Sequence, residues 1–176
     1  MKFINATYLS LGLILGTCHC QAGGNDLQLS YTQLKECKET VQNDNAAFSE
    51  LKCKSIGKYE VRVNQVGAEY FGISLAQGAQ KITSDFDGFP GMRPVGQAIE
   101  WHSRAGEPVF MVFRISFDEA GASKEVLTLN LVTPKTICPL ASVATSKNPK
   151  ANQQVRDLMT GQFAQVTTCP ASITKF

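Results

Sequence analysis

The chain has 176 residues, 17 basic against 15 acidic, with 43% hydrophobic content, ten Phe and six Cys. Near-neutral charge argues against a nucleic-acid binder held by phosphate contacts and against a polybasic membrane patch. An 18% charged content beside that many aromatics argues against a disordered chain and suits one domain with a single core.

Residues 1–22 read as an export signal. Met1-Lys2-Phe3 is a short basic start, and Leu9 to Gly16 is an apolar stretch too short to span a membrane. Cleavage is expected after Ala22, although Cys20 is unusual at the third position before the cut. A competing expectation is a lipoprotein acylated on Cys18 or Cys20, but Thr17 and His19 stand where such signals place Gly or Ala. Cleavage would leave 154 residues and, with Lys2 gone, 16 basic side chains against 15 acidic. No later stretch approaches the length of a membrane helix, so the mature chain is expected in the periplasm or outside the cell.

Cys37, Cys53, Cys138 and Cys169 remain after processing. An even count in an exported chain reads as two disulfides formed in an oxidising compartment. Of the three pairings, the local one is expected, Cys37–Cys53 with Cys138–Cys169. A zinc site fits poorly, because there is no CxxC pair and His102 is the only mature histidine. No metal and no cofactor are expected.

Gly23 to Ser30 is polar and reads as a flexible mature N-terminus, followed by a single β-rich domain over residues 31–176. Gln42-Asn43-Asp44-Asn45 reads as a turn within the first cysteine pair, its flanks two strands or a short helix, with strands favoured. Tyr59 to Val63 alternates with period two, as does Glu69 to Leu75 with Phe71, Ile73 and Leu75 on one face, and Gln65 to Ala68 would join them as a hairpin. Gly88 to Gly96 is dense in Gly and Pro and reads as an exposed loop. Ile99 to Ser103 leads into a second hairpin.

Val109 to Phe117 is the most apolar strand. Val109, Met111, Phe113, Ile115 and Phe117 share one face, while Phe110 and Val112 make the other face partly apolar, as expected of a central strand covered on both sides. Glu125 to Val132 returns with Leu127, Leu129 and Leu131 inward, and Ile137 to Val143 adds an edge strand. Asn148 as N-cap, Pro149 at the first helical position and apolar Ala151, Val155, Leu158 and Met159 predict one helix closed by Gly161. The expected class is α+β, an antiparallel sheet of five to seven strands with one C-terminal helix packed on it and two disulfides.

Catalytic side chains are scarce. His102 lies on a predicted strand beside Trp101, with Glu100 two residues back, whereas Ser103 must point to the opposite face and cannot be its partner. No GxSxG elbow occurs. Asp85-Phe86-Asp87-Gly88 lacks the later ligands of a calcium loop and reads as a solvated acidic turn. The least bland candidate is the loop exposing Phe89, Met92 and Arg93, since an apolar anchor beside a guanidinium is common in binding surfaces.

Ser55-Ile56-Gly57-Lys58-Tyr59 resembles the Ser-Gly-x-x-Tyr loop of periplasmic lysozyme inhibitors, with the glycine one place late. That likeness makes Ser55 and Tyr59 candidate binding residues. Across the domain, Tyr31-Thr32-x-Leu34-x-x-Cys37, Cys53-x-x-x-Gly57-x-Tyr59-x-Val61, Ile99-Glu100-Trp101, the strand Val109–Ile115, the strand around Leu127–Val132, Cys138, Asn148-Pro149-x-Ala151-Asn152 and Cys169 together resemble a group of small secreted four-cysteine proteins of Gram-negative bacteria. Pro139-Leu140-Ala141-Ser142-Val143-Ala144 departs from the His-Val-Ala-Tyr/Phe-Ile/Val-Asp that often follows the third cysteine there. The resemblance implies export and the four-cysteine framework and assigns no activity.

These features lead to the expectation of a non-enzymatic exported binding protein with a protein partner in the envelope or outside the cell, in one version an inhibitor of a cell-wall hydrolase. The alternatives are a small hydrolase using Asp85, Asp87, Glu100 or His102, and an envelope structural component.

Overall fold

Twelve strands make up a single sheet in the computed structural model, which describes residues 27–43, 48–66, 70–84, 86, 89 and 91–176. In chain order they are β1 Gln28–Gln33, β2 Lys38–Asn43, β3 Phe48–Lys52, β4 Glu60–Val66, β5 Tyr70–Gln77, β6 Gln80–Ser84 and β7 Arg93–Pro94. They continue with β8 Ala98–Arg104, β9 Glu107–Glu119, β10 Ala122–Val132, β11 Thr136–Ala144, the helix α1 Ala151–Thr160, and β12 Thr174–Lys175. Neighbours in space run β1-β8-β9-β10-β11-β6-β5-β4-β3-β2, with β7 also paired to β9 and β12 to β11.

The sheet curls into a half-barrel. Phe71 on β5 stacks on Phe113 of β9 with ring centroids 5.3 Å apart, although three strands lie between β5 and β9 in the pairing order. The concave side is filled rather than hollow. Val61, Ile73, Leu75, Ile99, Trp101, Met111, Phe113, Ile115 and Ile137 are buried there in one cluster. A second cluster on the convex side joins Phe110, Val112, Leu127, Leu129, Leu131, Leu140 and Val143 to Ala151, Val155 and Met159 of α1. The helix therefore covers the outer face of the central strands, and the apolar character of β9 on both faces follows from its place between two cores.

Five to seven strands were too few. The additional ones are short or polar, so their patterning carries little apolar signal. β1 turns Leu29 and Tyr31 outward, β6 places only Ile82 in the core, and β7 and β12 have two residues each. The sheet is not wholly antiparallel either, because β11 runs parallel to both β6 and β12. With those partners and β10 on its other side, β11 is an inner strand and not the expected edge. Gln28 to Ser30, expected in a loose N-terminus, pair with Trp101 to Ser103 of β8. Residues 1–22, expected to be an export signal, lie outside the described residues, and Cys18 and Cys20 with them.

Two bulges shift faces relative to simple alternation. Val109 is an extra residue between the pairs Ser103–Pro108 and His102–Phe110, so it packs with Phe110 on the convex cluster and not with Met111. Leu140 is the extra residue opposite Leu129 and Asn130. On β10 the leucines face the helix, while Thr128 and Asn130 point into the concave core. There the Asn130 amide donates to the Met111 carbonyl at 3.1 Å and to Thr128 Oγ1 at 2.9 Å.

Both expected disulfides are present. Cys37 and Cys53 close the open end of the β2–β3 hairpin with Cα atoms 4.2 Å apart, and Cys138–Cys169 ties β11 to the chain beyond α1 at 5.9 Å. Among the described residues no helix is long and apolar enough to cross a membrane. The disulfides fit an exported protein. The helix starts two residues later than expected, at Ala151, with Asn148 Oδ1 accepting from the Lys150 N–H at 3.1 Å in the preceding turn.

The second disulfide spans 31 residues, so in the chain-entropy model its loss costs about 3–4 kcal/mol. Changing Cys138 and Cys169 together to alanine is expected to lower the thermal midpoint by roughly 10 °C in a calorimetric scan. An unchanged midpoint would show that the bridge does not constrain the unfolded chain.

Candidate functional site

Alternation along β8 sends Ile99 and Trp101 into the concave core and Glu100 and His102 to the convex side, toward α1. The Trp101 indole N–H donates to Thr32 Oγ1 at 2.9 Å and anchors β1 to β8 from the core side. The β1–β8 register sets Tyr31 opposite Glu100 and Leu29 opposite His102, so all four share the outer face. Arg156 reaches this face from the helix.

Glu100 is the hub. Its Oε1 lies 2.6 Å from His102 Nε2, and its Oε2 accepts from the Arg156 guanidinium and from the Tyr31 hydroxyl, each at 3.1 Å. Burial of the carboxyl pushes its pKa up, but the hydrogen bonds from His102 and Arg156 and the guanidinium charge outweigh it, leaving about 2. A carboxylate so placed stays ionised with both oxygens occupied. It orients its neighbours and is far too weak a base to move protons near neutral pH.

Beside this network runs a groove of about 720 Å³ between β1, β8 and the C-terminal half of α1. Its floor is Phe110 and Met159, and Leu27, Leu29 and Ala164 extend the apolar lining. His102, Arg104 and Arg156 supply its charged and polar wall. The bulge at Val109 is what sets Phe110 opposite His102 on this face.

Arg104 is the unusual member. Its Nε is buried without an acceptor, and it forms no ion pair among the described residues. Its cross-strand neighbour Glu107 is engaged elsewhere, by the Lys58 ammonium at 2.7 Å and the Tyr59 hydroxyl at 2.9 Å. A smaller cavity of about 410 Å³ lies at the start of α1, lined by Arg114, Lys147, Asn148 and Asn152 among others.

The loop candidate is corrected by burial. Phe89 and Met92 are only 3% and 5% exposed and belong to the concave core, where Phe89 meets Phe117 edge-on at 5.1 Å. Arg93 alone of the three is exposed, and it donates to both carboxylate oxygens of Asp118 at 3.1 and 3.2 Å. Gly91 turns the chain with φ +63° between the two buried side chains, and no apolar anchor is displayed beside the guanidinium.

Ser55 is exposed, but Tyr59 is half-buried in a tight turn closed by reciprocal Ile56–Tyr59 backbone hydrogen bonds of 2.8 and 2.9 Å. Gly57 has φ +53°, and a Cβ on it would sit 2.4 Å from the Gly106 carbonyl oxygen. This turn is stapled to the β8–β9 turn and does not leave Tyr59 free to project.

Asp85 and Asp87 lie outside the described residues. Glu100 and His102 do meet, yet Ser103 faces away and the Thr160 hydroxyl in the groove donates to the Arg156 carbonyl at 3.0 Å, so neither stands as a nucleophile for the histidine. Among the described residues no three His, Cys, Asp or Glu side chains gather as metal ligands. The chain matches no family model, no curated protein and no solved structure.

Sequence reasoning passed over Arg104, Arg156 and Leu29. Glu100 and His102 could be placed on one face from their spacing, but Arg156 joins them from 56 positions away, and no local pattern marks that.

Two outcomes test this geometry. The Glu100 carboxyl is depressed below its ordinary 4.5, so its contribution to stability is complete above that pH and is lost as the pH falls toward about 2. Chemical denaturation should therefore show wild-type stability declining over that window, and Glu100→Gln should be less stable at neutral pH with a flatter acid limb. Gly57→Ala should destabilise by about 2 kcal/mol or more in the same assay, from the positive φ together with the clash on Gly106.

Proposed function

We propose that this protein is a non-enzymatic binding protein of the periplasm or extracellular space, with its ligand site in the groove between β1, β8 and α1. The observation that carries the reading is the groove itself, about 720 Å³ with an apolar floor of Phe110 and Met159 and a guanidinium, Arg104, that has no partner among the described residues. Ligand sites are concave, mostly apolar and carry a few placed polar groups, and this volume falls in the range of small-molecule sites.

Three features support binding over catalysis. The concave side of the half-barrel is filled by apolar side chains and brings together no set of catalytic groups among the described residues. The Glu100 carboxylate is saturated by His102, Arg156 and Tyr31 and acts as a brace for the groove wall. Two disulfides hold the scaffold rigid, as suits a site that works by fixed shape. The location rests on those disulfides and on the export-signal pattern of residues 1–22.

Filling the groove tests the reading. Ala164 lines it, and Ala164→Trp would occupy it with an indole. A neutral fluorescent probe, N-phenylnaphthylamine, is expected to brighten saturably with the wild type and to lose at least about tenfold in affinity with the variant. No saturable enhancement with the folded wild type, or equal binding by both proteins, would overturn the assignment of this groove.

A further inference from the structure

Resting on that groove as the binding site, we infer that its ligand is a small amphiphile with an apolar tail and a carboxylate head, of the size and chemistry of a medium-chain fatty acid. The charge balance points to the head group. Two guanidiniums, Arg104 and Arg156, line the groove, and among the described residues the one carboxylate beside them, Glu100, is committed to Arg156, His102 and Tyr31. One positive charge is left over, and it is on Arg104.

Arg104 is half-buried, and the carboxylate best placed to neutralise it, Glu107 on the facing strand, is held by Lys58 and Tyr59. The Nε is shut off from solvent, so a ligand carboxylate would meet Arg104 through the part of its guanidinium that lines the groove and would supply the counter-charge that the described residues lack. Guanidinium and carboxylate match geometrically, with two parallel N–H···O bonds available. A cationic head would meet Arg104 as a like charge, and a neutral head could accept a hydrogen bond but would leave the guanidinium charge unpaired.

The rest of the groove suits the tail. Phe110 and Met159 form an apolar floor, and the unbranched thioether of Met159 adapts to a flexible chain. Leu29, 48% exposed and at the groove's rim, is an apolar side chain that such a tail would cover. Head and tail contacts lie along one groove, so a single ligand satisfies both.

Isothermal titration of the disulfide-intact protein with dodecanoate and with dodecyltrimethylammonium, each below its micelle-forming concentration, tests this. Dodecanoate is expected to bind at least about tenfold more tightly than the cation. Arg104→Gln should remove that preference, and Arg104→Lys should restore part of it. Because each charge-assisted hydrogen bond contributes about one to two orders of magnitude, the loss should be well outside error. Ala164→Trp should abolish both titrations.

Equal binding of the two amphiphiles, a preference that survives Arg104→Gln, or no binding of dodecanoate would each overturn the carboxylate assignment. The groove reading would still stand if the neutral probe bound and Ala164→Trp displaced it. Circular dichroism and the thermal midpoint of each variant separate loss of the head-group contact from loss of the fold.

Discussion

Strand β9 is thirteen residues long, is paired along both edges and has a core against each face, and the rest of the molecule is arranged around that burial. On one edge β8 covers its first half and β7 part of its second, while β10 runs along the other edge. Met111, Phe113, Ile115 and Phe117 require a curled sheet to close over them, and β4, β5 and the Phe89–Met92 segment supply the opposing side chains. Phe110 and Val112 require a cover on the convex side, and α1 supplies it. Exposing either face would return several large apolar side chains to water, at roughly 1.5–3 kcal/mol each.

That arrangement leaves one place where covering is incomplete. The helix spans the convex face over β10 and β11 and stops short of β1, so Leu29, Tyr31 and the outer side of β8 are flanked by α1 without being buried under it. Charged contacts bridge the gap where apolar ones end. Glu100 links β8 to β1 through Tyr31 and to the helix through Arg156, and fixes the spacing of the groove walls. Such a network stabilises modestly, because a partly buried carboxylate gives up hydration to make its bonds. Its larger effect is positional: His102 and Arg156 are held while Arg104 is left open.

The features legible in the sequence are those encoded over a few neighbouring residues. Alternation marked Tyr59–Val63, Glu69–Leu75 and the long apolar strand, helical spacing marked Ala151 to Met159, and proximity along the chain favoured both disulfides. Features decided by distant partners were not legible. Val109 changed faces because of a bulge set by its pairing with β8. Phe89 and Met92 sat among chain breakers, which report backbone shape and say nothing of burial, and the ring that meets Phe89 in the core, Phe117, is 28 positions away. β1 lacked an apolar inner face because its one fully buried side chain is Thr32, made acceptable by the Trp101 indole. Of the groove, the sequence placed Glu100 and His102 together, while Arg104 drew no notice because an arginine near a turn is ordinary until its neighbours are known to be otherwise engaged.

The half-barrel thus differs from barrels that carry ligands inside. Its interior is occupied by Trp101, Phe113 and their neighbours, and the proposed site lies outside, between sheet and helix. Amide chemical-shift mapping by NMR during titration with dodecanoate tests that placement most directly. Shifts concentrated at Leu29, His102, Arg104, Phe110 and the stretch from Arg156 to Gln165 are expected, with the Ser55–Tyr59 turn and β2–β3 unmoved. Shifts centred on that turn, on the start of α1 near Arg114 and Lys147, or spread evenly over the surface would contradict it.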